Sequence, residues 1–135
     1  MEESIEMPVR QRNKYRGTTD YALVLGELVR AAQYRGLTTY QDIAPLVGLP
    51  QSGHHMAREI GLILGAISED EVLASRPMLS ALAVNVDGEP GSGFFELARE
   101  LERLDQDGDE SAFWKAERDD VYDAWRRRLP GRRPR

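Results

Sequence analysis

The sequence predicts a mainly α-helical domain with one small β-hairpin. Three observations carry that expectation. Apolar residues recur at helical spacing in five separate stretches. Residues 38–65 read as two helices around a tight turn, with cap and stop residues at their ends. One short apolar run, residues 79–86, is followed by a loop with three glycines and a proline.

The elements follow in order. Residues 1–17 are polar and carry Arg10, Arg12, Lys14 and Arg16 at alternating positions. They read as a solvated leader or as a basic arm that touches phosphate or an acidic partner. Thr18 or Thr19 caps a first helix, with Asp20 in its opening turn and Tyr21, Leu25, Leu28, Val29 and Ala32 as its buried stripe. Gly36 ends it. Thr39 caps the next helix through its hydroxyl, and Ile43, Leu46 and Val47 form its apolar face. Gly48 stops that helix and Pro50 keeps it from resuming. Ser52 or Gly53 opens the following one, where Met56, Ile60, Ile63, Leu64 and Ile67 repeat at helical spacing. This outline fits a helix-turn-helix, and helical hairpins of other kinds share it.

Ser68-Glu69-Asp70-Glu71 is a capping-box pattern and predicts a new turn of helix through Val72, Leu73 and Ala74, broken by Pro77. Residues 79–86 read as a strand, residues 87–93 as a wing loop, and Gly93-Phe94-Phe95 as a short returning strand. Phe95, Leu97, Ala98, Leu101 and Leu104 restore helical spacing. Asp105-Gln106-Asp107-Gly108-Asp109-Glu110 is an acidic linker. A calcium loop beginning at Asp105 needs glycine and glutamate where Glu110 and Ala116 stand. The last helix spans residues 111–128, with an aromatic stripe of Phe113, Trp114, Val121, Tyr122 and Trp125 that reads as core or as an exposed partner surface. Residues 129–135 form a basic tail. One domain, residues 18–128, therefore lies between a polar leader and an arginine tail.

Composition narrows the chemistry. The chain has 135 residues, 41% hydrophobic, and no cysteine, so disulfides, thiolate metal sites and a cysteine nucleophile are excluded. No apolar run approaches the about 18 residues of a membrane span, and the N-terminus lacks signal-peptide regions, so a cytoplasmic protein without membrane contact is expected. His54 and His55 are adjacent, and helical neighbours point about 100° apart, so they do not readily share one metal. No Ser-His-Asp set or phosphate-binding loop is present, and Gly88, Gly91 and Gly93 lack dinucleotide-motif spacing. The expectation is a protein without enzymatic activity or cofactor. The net charge is −5, and residues 36–100 hold 3 basic against 9 acidic side chains. That acidity opposes phosphate binding, which depends on Lys and Arg.

Helix, helix-turn-helix, strand, glycine-rich loop and short strand is the order of a winged helix, here with an additional C-terminal helix. Thr39-Tyr40-Gln41-Asp42-Ile43-Ala44, then Gly48 and Pro50, then Ala57-Arg58-Glu59-Ile60-Gly61, then Val84-Asn85-Val86-Asp87-Gly88 resembles the DNA-binding domain of alkylguanine-DNA alkyltransferases and alkyltransferase-like proteins. The resemblance covers roughly residues 36–100. It implies that the second motif helix enters the minor groove, that Arg58 intercalates where a base is flipped out, and that Tyr40 presses on the DNA backbone. The family's acceptor lies in a Pro-Cys-His-Arg motif; here Pro77 is followed by Met78-Leu79-Ser80, and a thioether cannot replace a thiolate. The expected function is non-catalytic binding of nucleic acid, with double-stranded DNA as partner. Tyr40, Gln51, Ser52, His54, His55 and Arg58 would meet the groove, residues 88–93 would act as a wing, and Arg132 and Arg133 in the tail would hold phosphates. The alternative is a protein-interaction module that holds a partner through its acidic face or the Trp114 and Trp125 helix.

Overall fold

The computed structural model describes residues 13–127. Arg10, Arg12, Arg132 and Arg133, with the rest of residues 1–12 and 128–135, lie outside that range. Five helices and one two-stranded sheet follow in the order α1 (Thr19–Gln33), β1 (Thr38–Thr39), α2 (Tyr40–Ile43), α3 (His54–Leu73), β2 (Ala83–Val84), α4 (Ser92–Glu100) and α5 (Glu110–Ala124). The short turns Ala44–Val47 and Leu79–Leu82 are 3₁₀. The mainly α character expected from the sequence stands.

Caps fix the early elements. Thr18 Oγ1 accepts the Tyr21 N–H and Thr39 Oγ1 accepts the Asp42 N–H, both at 3.1 Å. Gly48 adopts φ 73°, which closes the turn after Ala44–Val47. The buried line of α1 is Val24, Leu28, Ala31 and Ala32, flanked by the half-buried Tyr21, Leu25 and Val29.

Helix α3 runs unbroken through Ser68–Glu71, where the sequence predicted a new start. The reason lies in its neighbours. Ser68 Oγ donates to Ser80 Oγ at 2.7 Å and accepts the Ser80 N–H at 3.1 Å, while Glu71 pairs with Arg76 at 2.8 Å. Both capping-box side chains are used across the fold rather than on their own backbone. Gly53, not Ser52, precedes the first turn, and no side chain caps it.

Three helices share one ending. The N–H groups of Gly36, Arg76 and Arg103 reach back to the carbonyls of Ala31, Glu71 and Ala98 at 2.9, 2.8 and 2.8 Å. The residue before each, Arg35, Ser75 or Glu102, takes the left-handed conformation with φ 55°, 65° and 62°. This is the Schellman cap, which usually uses glycine. Gly36, expected to end α1 itself, stands one position beyond.

The sheet departs from the expected hairpin. Thr38 pairs with Ala83 and Thr39 with Val84 in parallel, so its strands lie far apart in sequence. Residues 79–82 form a 3₁₀ turn, and Gly93-Phe94-Phe95 is the start of α4 rather than a returning strand. Phe94 and Ala98 are both buried four residues apart, a helical spacing that a strand cannot serve. The residues read as a wing instead close tightly: Gly88 N–H bonds Asn85 O at 2.8 Å, and Asn85 N–H bonds Glu89 O at 2.9 Å.

Two apolar clusters result. The larger joins α1, α2 and α3 to Leu79, Leu82, Val121 and Tyr122, with Trp125 packed on its edge. The smaller joins Met78, Ala81, Val84, Phe94, Ala98, Leu104 and Trp114. Helix α5 spans both, and its aromatic stripe faces inward. Trp114 Nε1 donates to Ala81 O at 2.8 Å and Tyr122 Oη to Gly36 O at 2.9 Å. The buried Glu117 accepts the Met78 N–H and both Arg103 donors at 2.9 Å each.

Residues 13–17, read as the end of a solvated leader or of a basic arm, dock along the acidic residues of α3. Asn13 Nδ2 donates to Leu62 O at 2.8 Å, Lys14 pairs with Glu59 at 2.8 Å, and Arg16 with Glu69 and Asp70 at 3.1 Å.

Removing Glu117 strands a buried N–H and a partly buried guanidinium. Glu117→Ala is expected to lower unfolding free energy by about 3 kcal/mol in urea denaturation, with Glu117→Gln intermediate. Glu102→Gly, which relieves a left-handed exposed residue, is expected to raise it by about 0.5–1 kcal/mol.

Candidate nucleic-acid interface

One face of α3 lacks side-chain bulk. Ala57, Gly61 and Gly65 stand four residues apart, so they share a face and leave a channel along it. Helix α4 lies opposite. The result is a cleft of about 490 Å³ lined by Tyr40, Arg58, Leu62, Leu64, Ser80, Ala83, Phe94 and Leu97, with Glu96 and Glu100 at its α4 side. It opens into a second hollow of about 390 Å³ where Tyr40, His54, Arg58, Asn85 and residues 91–93 meet.

Tyr40 belongs to both spaces. It follows directly on β1, so the β1–β2 pairing sets its position. A methyl group on Gly91 would lie 3.9 Å from Tyr40 Oη and 4.0 Å from Asn85 Nδ2, so the three groups are neighbours. Burial pushes the Tyr40 phenol above its ordinary pKa, keeping it a neutral donor at physiological pH. Its hydroxyl makes no hydrogen bond among the described residues.

Arg58 stands on the lip, its side chain 65% exposed. Its guanidinium lies 3.5 Å from His55 Nδ1 and 3.7 Å from Glu59. Glu59 is held elsewhere: hydrogen bonds from Lys14 and then Tyr15 lower its pKa to about 2. Burial and the same carboxylate push Tyr15 up to about 12.

Of the residues expected to meet a groove, Tyr40, His54 and Arg58 converge on this surface. Gln51 and Ser52, just before α3, and His55, in its first turn, are exposed beside it, and Gln51 Nε2 is tied to Gln41 O at 3.0 Å. Residues 91–93 form a wall rather than a projecting wing. Met78, where the resemblance placed the acceptor motif, is fully buried in the smaller cluster; Ser80 is the residue of that segment that lines the cleft. Its hydroxyl is bonded to that of Ser68 and to no acid or base, so nothing activates it as a nucleophile. Sequence reading missed Ser80, Asn85 and the small-residue channel. The spacing of Ala57, Gly61 and Gly65 was the available signal for the last.

Among the described residues, no three His, Asp or Glu side chains converge as metal ligands, and no helix is long and apolar enough to cross a membrane. Compared with protein families, curated proteins and solved structures, the chain matches none of them.

The acidity of residues 36–100 is partly offset. Glu59, Glu69, Asp70 and Glu71, four of its nine carboxylates, are paired with Lys14, Arg16 and Arg76 away from the cleft's channel.

The Glu59 shift has a sign that can be measured. A carboxylate with a depressed folded pKa adds stability above its ordinary pKa of 4.5, and that contribution is lost as pH falls toward about 2. Urea denaturation between pH 6 and pH 2.5 is expected to show a smaller acid loss for Glu59→Gln than for the wild type.

Proposed function

We propose that this protein is a small non-catalytic DNA-binding protein that presents the first turns of α3 to a duplex groove. The observation that carries the reading is the pairing of an exposed arginine, Arg58, with an unbonded tyrosine hydroxyl, Tyr40, across an open cleft. Arginine supplies charge and a planar group that stacks on bases; the phenol donates to a phosphate oxygen. The resemblance to alkyltransferase-like DNA-binding domains gives the two residues the same roles. The neutralised carboxylates of α3 remove part of the electrostatic objection. An unactivated Ser80 at the cleft floor fits binding rather than group transfer. The protein-interaction alternative gains less, because on α5 Trp114 is buried and Trp125 packs half-buried on the edge of the larger cluster.

Fluorescence anisotropy of a labelled duplex titrated with the full-length protein tests the proposal. Wild-type binding is expected to weaken with salt, Arg58→Ala to weaken it about tenfold, and Tyr40→Phe to weaken it severalfold. Unchanged affinity for Arg58→Ala would sink the groove assignment.

A further inference from the structure

Ten arginines fall within the described residues. Seven of them have a carboxylate within ion-pairing distance: Arg16, Arg30, Arg58, Arg76, Arg99, Arg103 and Arg118. The remaining three, Arg35, Arg126 and Arg127, gather at one end of the molecule. Arg35 follows α1, and Arg126 and Arg127 follow α5. The Tyr122 hydroxyl, bonded to Gly36 O, brings those two helix ends together.

Two of the three are held on aromatic faces. The Arg127 guanidinium lies 5.3 Å from the Tyr34 ring centre, and its Nη1 donates to Tyr34 Oη at 3.2 Å. The Arg35 guanidinium lies 5.0 Å from the Tyr122 ring centre. A guanidinium held against a ring keeps further N–H donors for an anion, even where, as in Arg127, one is already used, and loses little further freedom when it grips that anion. Tyr34 itself is 65% exposed. Asp123, one turn before Arg127, pairs with none of the three.

We propose that Arg35, Arg126 and Arg127, set around Tyr34, form a second phosphate-binding surface for the duplex held at the α3 cleft. It rests on the DNA-binding reading and extends it to a second site. Tyr40 stands five positions after Arg35, so their Cα atoms lie at most about 17 Å apart. That is no more than about half a helical turn of duplex, so the separation lets one DNA molecule reach both places. Phosphates are the assigned target, because the three cations lie exposed at two helix ends and phosphate contact needs charge alone.

Cations at helix C-termini also stabilise helices, so the test needs a readout that stability does not move. The salt dependence of binding is that readout. In anisotropy titrations of the full-length chain with a duplex over a salt series, Arg35→Gln/Arg127→Gln is expected to flatten the plot of log affinity against log salt by about 1.8, at about 0.9 per lost phosphate contact. Arg35→Lys/Arg127→Lys, which keeps the charge, is expected to retain the wild-type slope. A flattened slope for the glutamine pair with unchanged binding by Arg58→Ala would keep this surface and remove the groove reading. An unchanged slope for the glutamine pair with weakened binding by Arg58→Ala would overturn this surface alone. No binding at low salt would overturn both. A poly-glutamate peptide that displaces the duplex as well as unlabelled duplex does would assign the surface to an acidic protein and overturn the phosphate assignment.

Discussion

A hydroxyl buried in the middle of a helix must find a partner, and much of this fold follows from the one Ser68 finds. Ser68 is fully buried on α3. An unpaired hydroxyl there costs on the order of 1–3 kcal/mol. Ser80 answers it with both its hydroxyl and its N–H, which fixes residues 79–82 against α3 at one register. Ala83 and Val84 then have one place to run, and Thr38 and Thr39 pair with them there. Tyr40 is the next residue. The cleft is thus defined at one wall by the bare face of α3 and at its floor by a chain of constraints that starts inside the same helix.

The sequence was legible where a signal is local. Thr18, Thr39 and Gly48 act through neighbours within a few residues, and each does in the structure what its chemistry suggests. The apolar spacing of α3 gave its buried face for the same reason. Local signals failed where a partner outside the local pattern competed for the same group. Ser68 and Glu71 form a valid capping box on paper, yet a serine twelve residues on and an arginine five residues on hold them. The sheet was misread likewise: parallel pairing between residues 38–39 and 83–84 leaves no mark in either segment alone. Phe94 and Ala98 show the third cause. Glycines around Phe94 resemble a strand turn, but the core needs contacts at a period of four. As for the candidate site, Tyr40, His54 and Arg58 were readable as a set, while the channel between α3 and α4 was not, because it is made by side chains that are absent.

Charge tells a related story. A count over residues 36–100 describes an acidic surface, but a count ignores which carboxylates already have partners. Lys14 and Arg16 come from a segment that reads as a solvated leader, and both sit on α3. Net charge by segment is therefore a poor guide wherever a terminus folds back. The arginines without a carboxylate partner among the described residues are instead gathered where α1 and α5 end, a grouping invisible until the two ends are brought together.

The division of the apolar interior into two clusters has an optical consequence. Each cluster holds or borders one of the two tryptophans: Trp114 lies in the smaller, and Trp125 packs on the larger. Their indoles differ, since Trp114 donates its N–H to Ala81 O and Trp125 Nε1 has no partner. Each ring also has its own nearby guanidinium, from Arg118 and Arg76. The chain thus carries two intrinsic fluorophores in unlike surroundings, one for each half of its interior. Single-tryptophan variants turn that into a spectroscopic test of whether the two halves melt as one unit or in sequence.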